Sequence, residues 1–141
     1  MYLIDTNVIS EYRKGARADS GVRQFFEGGR TSGNELFLSA VTVGEMRRGI
    51  ELLRHRGDLQ QAARLDEWLT GVLREYERYI LPMDADIGQI WGRLRVPHPE
   101  NAIDKIIAAT ALSYDLTVVT RNVDDFALTG VRLLNPFTQR H

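Results

Sequence analysis

The chain has 141 residues and no cysteine, with 43% hydrophobic and 26% charged residues and a formal net charge of −1. That length and balance suit one compact domain spanning residues 1–141 and exclude a disordered chain, a disulfide scaffold and any thiolate metal site. The near-zero charge excludes a generally basic nucleic-acid coat, so any contact with nucleic acid must rest on local patches.

The opening run Tyr2-Leu3-Ile4 reads as a short buried strand. Asp5 interrupts it far too early for a signal-peptide core, and no later run is long enough to span a membrane, so a soluble cytoplasmic protein is expected. Asp5-Thr6-Asn7 then offers capping side chains to a helix carrying Val8, Ile9 and Tyr12, closed by Gly15. A second helix from Ser20 carries Val22, Phe25 and Phe26 and is expected to stop at Gly28-Gly29. Leu36 to Val41 has the length and apolarity of a strand, and Thr42-Val43-Gly44-Glu45 has the form of a capping box, which predicts a helix from about Val43 to Gly57. Leu65, Trp68, Leu69, Val72, Leu73 and Tyr76 mark a long amphipathic helix that would pair with it as a hairpin.

Ile80-Leu81 predicts a brief strand, and Ile87, Ile90, Trp91 and Leu94 predict a helix ended by Pro97-His98-Pro99. Asn101 is placed to cap an alanine-rich helix through Ile103, Ile106, Ile107 and Tyr114. Leu116 to Thr120 is a β-branched strand, and Val131 to Leu134 the last one. Strands alternating with helices predict an α/β three-layer sandwich, its central sheet mostly parallel and flanked by helices. In such sheets ligands gather beyond the carboxyl ends of the strands, where Asp5 and Asp125 are expected, with Glu45 and Asp104 in the first turns of helices entering the same crevice.

Each acid taken alone has a structural explanation: Asp5 as a helix cap, Glu45 in a capping box, Asp104 at a helix dipole and Asp125 in a turn. Taken together, four acids at one sheet edge are harder to explain that way. Two carboxylates about 4 Å apart repel by roughly 4 kcal/mol at an effective dielectric near 20, so such a group protonates or recruits a cation. With oxygen donors only and the histidines scattered (His55, His98, His141), Mg²⁺ or Mn²⁺ fits better than Zn²⁺. The chemistry such a site serves is phosphodiester hydrolysis.

Four segments then carry a resemblance. Met1-Tyr-Leu-Ile-Asp-Thr-Asn-Val-Ile-Ser10, Ser39-Ala-Val-Thr-Val-Gly-Glu-Met-Arg-Arg-Gly-Ile50, Asn101-Ala-Ile-Asp-Lys-Ile-Ile-Ala-Ala-Thr-Ala-Leu112 and Val119-Thr-Arg-Asn-Val-Asp-Asp-Phe126 resemble, in order, the four motifs of VapC-type PIN-domain toxins, closest to the FitB-like branch. The likeness extends to Trp91-Gly-Arg-Leu-Arg95 and Leu133-Leu-Asn-Pro-Phe137. It implies a PIN fold, Mg²⁺- or Mn²⁺-dependent cleavage of RNA, a homodimer, and inhibition by a cognate antitoxin of the VapB or FitA kind. By the same likeness Asp5, Glu45 and Asp104 hold the metal and Asp125 completes the site, with Asp124 as the competing neighbour. Thr6, Asn7 and Thr120 match polar positions beside that site, while Lys105 departs from the small or apolar residue usual after the motif Asp, its charge free to pair with the acids or touch substrate.

Among the cations only Lys14 and Lys105 are lysines, and guanidinium forks suit phosphates, although solvated helix faces explain Arg13, Arg47, Arg48, Arg93 and Arg95 as well. The homodimer has a second basis in the apolar surface of the helices around Leu65, Trp68, Leu69 and Trp91. The competing functions are a DNA-directed or structure-specific nuclease, a non-catalytic RNA-binding module, which would have lost a motif acid, and a phosphatase, which would need a small closed pocket.

Overall fold

A computed structural model describes residues 1–138, apart from the side chains of residues 30–32. Five short strands, β1 (Tyr2–Ile4), β2 (Leu36–Ser39), β3 (Ile80–Leu81), β4 (Thr117–Val119) and β5 (Leu133–Leu134), form one sheet in the order β3-β2-β1-β4-β5. Every pairing is parallel, with Leu3 beside Phe37 and Val118, so the predicted sheet is confirmed in its stricter form. Among the described residues six α-helices connect the strands: α1 (Thr6–Tyr12), α2 (Ser20–Ser32), α3 (Ala40–His55), α4 (Leu59–Glu75), α5 (Ala85–Leu94) and α6 (Ala102–Tyr114). A 3-10 turn at Val123–Phe126 follows β4.

The central strands are apolar on both faces because both faces are covered. Alternation along β1 sends Ile4 into a core with Leu38 of β2 and with Val8, Phe26, Ile50 and Leu69, supplied by α1 to α4. Leu3 goes to the opposite face, with Ile107, Ala108, Ala111, Leu116 and Phe126. The alanines of α6 let it lie close on β1 and β4, and Ala108, Ala109 and Ala111 are fully buried. The three predicted layers are therefore present. No helix among the described residues is long and apolar enough to cross a membrane.

Two predicted boundaries moved. Helix α2 runs through Gly28-Gly29 to Ser32 and ends at Gly33, whose φ of 73° is the left-handed conformation that closes helices. The predicted capping box at Thr42–Glu45 is absent, because Ser39 ends β2 and caps α3 with its hydroxyl accepting from the Val41 amide at 3.1 Å. Thr42 is instead wholly buried inside the helix, and Glu45 lies in its second turn. At α6, Asn101 is the cap residue but takes left-handed backbone angles and makes no side-chain cap bond.

Candidate active site

The strand order reverses at β1: β2 and β3 lie on one side, β4 and β5 on the other. Beyond the carboxyl ends of β1 and β4 the connections diverge to opposite sides, and it is at such a point that open parallel sheets form their ligand crevice. Asp5 stands at the end of β1 and is 4% exposed. Its amide continues the ladder to the Val119 carbonyl at 2.9 Å, and its side chain caps α1. Oδ1 accepts from the Thr6 amide at 2.8 Å, while Oδ2 accepts from the Thr120 hydroxyl at 2.8 Å and the Asn7 amide group at 3.2 Å. Asn7 in turn accepts from the Arg121 amide at 3.0 Å, and the Thr120 hydroxyl accepts from the Asn122 amide at 3.0 Å. This network ties the end of β1 to the loop after β4.

The other acids reach the crevice from three directions. Asp104 lies in the first turn of α6, which runs back along β4 and so returns its N-terminus to the carboxyl edge. Asp125 is carried by the 3-10 turn beyond β4, and Glu45 by α3 beyond β2. Among the described residues, the carboxylates of Glu45, Asp104 and Asp125 have no hydrogen-bond or salt-bridge partner. Burial, followed by the charges of Asp5, Asp125 and Glu45, pushes the Asp104 carboxyl up to about 6. Asp5 is also raised: its burial outweighs the donors from Thr120, Thr6 and Asn7, and the Asp125 charge adds to the effect. The charge of Asp125 raises both of these carboxyls.

The acids ring a shared space without gripping a point, since among the described residues no three Asp, Glu or His side chains are close enough to hold a single ion. Mutual repulsion favours such spread rotamers. The donor set, all carboxylate oxygen, is of the kind that holds hard divalent cations. The remaining residues singled out from the sequence fall into place differently. Thr6, Asn7 and Thr120 all surround Asp5. Lys105 is buried, and its ammonium donates to the His98 carbonyl, turned toward the loop before α6. Arg47 is bound to Asp66 and Arg95 lies over the Trp91 ring, whereas His98 is exposed and His141 falls outside the described residues. What the sequence did not reveal is that Arg121 enters the network through its backbone, a contact that joins residues more than a hundred positions apart.

Comparison with known proteins agrees with this geometry. Over 97% of its length the chain is 33% identical to Toxin FitB of Neisseria gonorrhoeae, covering 99% of that protein. It is 30% identical to the VapC ribonuclease Y4jK of Sinorhizobium fredii over 97% of the chain and 98% of the relative. A structure of FitAB bound to a DNA fragment superposes with a TM-score of 0.82 at 32% identity, covering 100% of this chain and 99% of the matched one. The PIN domain pattern matches residues 2–131, which hold all four acids and the whole sheet except β5, so the chain belongs to the PIN-domain family, in the company of FitB and VapC proteins.

Proposed function

We propose that the chain is an Mg²⁺- or Mn²⁺-dependent endoribonuclease, the toxin of a type II toxin-antitoxin pair, which hydrolyses RNA phosphodiester bonds at Asp5, Glu45, Asp104 and Asp125. The observation that carries this reading is the gathering of four acids without a cation at the switch point, where burial, followed by the charges of Asp5, Asp125 and Glu45, raises Asp104 to about 6. Acids serving only as caps or turn formers have no need to face one another. The names of the relatives, a toxin and a ribonuclease, support the same reading.

The donor chemistry of the acids, carboxylate oxygen throughout, suits a divalent ion. Mg²⁺ takes one or two carboxylates and fills its remaining positions with water and phosphate oxygens, so a ring of acids without a three-acid grip suits it. When bound, such an ion acidifies water and offsets charge on a phosphodiester. The chain's own contribution is orientation. Asp5 is the rigid member, since Thr6, Asn7 and Thr120 fix both of its oxygens. Asp104, Glu45 and Asp125 approach from separate elements with oxygens free for the cation.

The partner in this reading is a VapB- or FitA-like antitoxin encoded alongside, whose Arg or Lys enters the acid ring in place of the cation. Glu45 also lines a groove of about 410 Å³ with Met46, Ile50, Leu53, Leu65 and Trp68, an apolar seat beside the acids. We further propose a homodimer in the cytoplasm. Of the residues behind that expectation, Leu65 and Trp68 line the groove beside Glu45, Leu69 is buried in the core, and the Trp91 indole donates to the Ala102 carbonyl at 2.9 Å. A second open surface lies along α5, where Gly88 and Gly92 stand beside Val96, which is 77% exposed.

Incubation of purified protein with labelled RNA and matched DNA, with Mg²⁺, Mn²⁺ or chelator, tests the activity. RNA cut only with metal is the expected result. Preferential cutting of DNA would transfer the chain to the DNA-directed reading, and no cutting of either would leave a binding module.

A further inference from the structure

The loop after β4 has a second face. Asn7 holds the Arg121 backbone two hydrogen bonds from Asp5, yet the Arg121 side chain lines a different cleft, of about 820 Å³, with Lys14, Arg17, Ser20 and Thr138. The guanidinium lies over the Phe137 ring, 4.8 Å from its centroid, which fixes the cation in the cleft wall.

The charges in this cleft divide into two kinds. Glu11 accepts from Lys14 at 2.9 Å and from the Asp19 amide at 2.9 Å, and these donors lower its carboxyl. Asp19 accepts from the amides of Gly21, Val22 and Thr138, which bring it down against its desolvation. Both acids and Lys14 are thus committed. Arg17 and Arg121 have no acidic partner among the described residues, and they are the cations left to meet an anion. The cleft is polar and open, and it shares a loop with the acid ring.

We infer that this cleft carries the phosphodiester backbone of the substrate strand as it leaves the acid ring, with Arg17 and Arg121 as its phosphate contacts. The inference rests on the nuclease reading. It assigns the acids to the bond that breaks and the arginines to the strand beside it, which lets a chain of net charge −1 bind a polyanion through a local patch.

The two readings are tested separately by measuring binding in chelator and cleavage in Mg²⁺. In chelator, a fluorescein-labelled single-stranded RNA dodecamer is titrated by anisotropy at several salt concentrations. Arg17→Ala and Arg121→Ala should each weaken binding at least about threefold and flatten the plot of log affinity against log salt by about 0.7, the value per phosphate contact on a single strand. Arg17→Lys and Arg121→Lys should keep the slope because they keep the charge, and Arg64→Ala on α4 should change nothing. In Mg²⁺ the two alanine variants should raise KM and retain kcat. Wild-type affinity and slope in both alanine variants, or an equal loss in Arg64→Ala, would overturn the cleft assignment, as would tighter binding of the matched DNA. A wild type that binds through the two arginines and cuts nothing would sink the nuclease reading and leave the cleft standing.

Discussion

The α3–α4 hairpin and the carboxyl edge of the sheet both gather acidic side chains, but only the hairpin neutralises them. On the hairpin, Asp66 accepts from Arg47 at 2.9 Å and from Arg54 at 2.5 Å, while Glu51 accepts from both arginines. The two arginine hydrogen bonds hold the Asp66 carboxyl down at about 2. At the sheet edge, burial and three neighbouring acids drive Asp104 the other way, to about 6. The same residue type thus moves in opposite directions within one small fold. Where the purpose is to join two helices, cations are supplied from within the chain. Where like charges are gathered without them, the group either takes up a proton, as the raised Asp104 does more readily, or draws in a cation.

The sharpest way to break that comparison is to neutralise acids in each region and measure RNA cleavage. Asp5→Asn, Glu45→Gln, Asp104→Asn and Asp125→Asn should each lower kcat/KM about a hundredfold or more, whereas Asp124→Asn should not. Full activity in the Asp5 and Asp104 variants would remove the proposed mechanism. A larger loss in Asp124→Asn than in Asp125→Asn would move the fourth acid by one residue.

A second, smaller effect is the pH dependence of metal-free stability. Asp104 binds its proton more tightly in the native state, near 6, than at its ordinary value of 3.8. The folded form therefore holds more protons across that window, and its stability falls as pH rises from about 4 to about 6. After solvent screening the loss is on the order of 1–2 kcal/mol. Asp104→Asn should lose this component, so its stability relative to wild type should grow across the same window. A constant difference between the two proteins would contradict the raised carboxyl. The smallest effect is expected at Asp66→Asn. Surface ion pairs contribute little, so its melting temperature should barely drop and its cleavage should be unchanged.

Much of this was legible in the sequence because the signals were local. Leu3-Ile4 and Val118-Val119 are apolar without alternation, as strands covered on both faces must be, and the parallel sheet followed from helices lying between such runs. The four acids were visible through their positions after strands and at helix starts. Competition between local signals hid other features. At the start of α3, Ser39 and Thr42 both offer cap hydroxyls, and tertiary packing decided between them by burying Thr42 completely. The outcome matters for function, since Glu45 in the second turn has lost its capping explanation. The direction of a long side chain was not legible at all. Lys105 follows Asp104 in sequence but points its ammonium at the His98 carbonyl, and Arg121 follows Thr120 but sends its guanidinium to Phe137.

The central claim is that the acid ring is held against its own repulsion until a cation arrives. It is tested most directly by thermal melting of wild type and Asp104→Asn, each with chelator and with millimolar Mg²⁺. Asp104 is the clean site for this, because its carboxylate makes no hydrogen bond among the described residues, while an Asp5 variant would also disturb Thr120 and Asn7. In chelator the Asp104→Asn protein should melt at or above the wild-type temperature, since one repelling charge is gone. Mg²⁺ should then raise the wild type more than the variant, because binding to the native state stabilises it by mass action. A wild type whose melting ignores Mg²⁺, together with a variant that melts lower in chelator, would contradict the account.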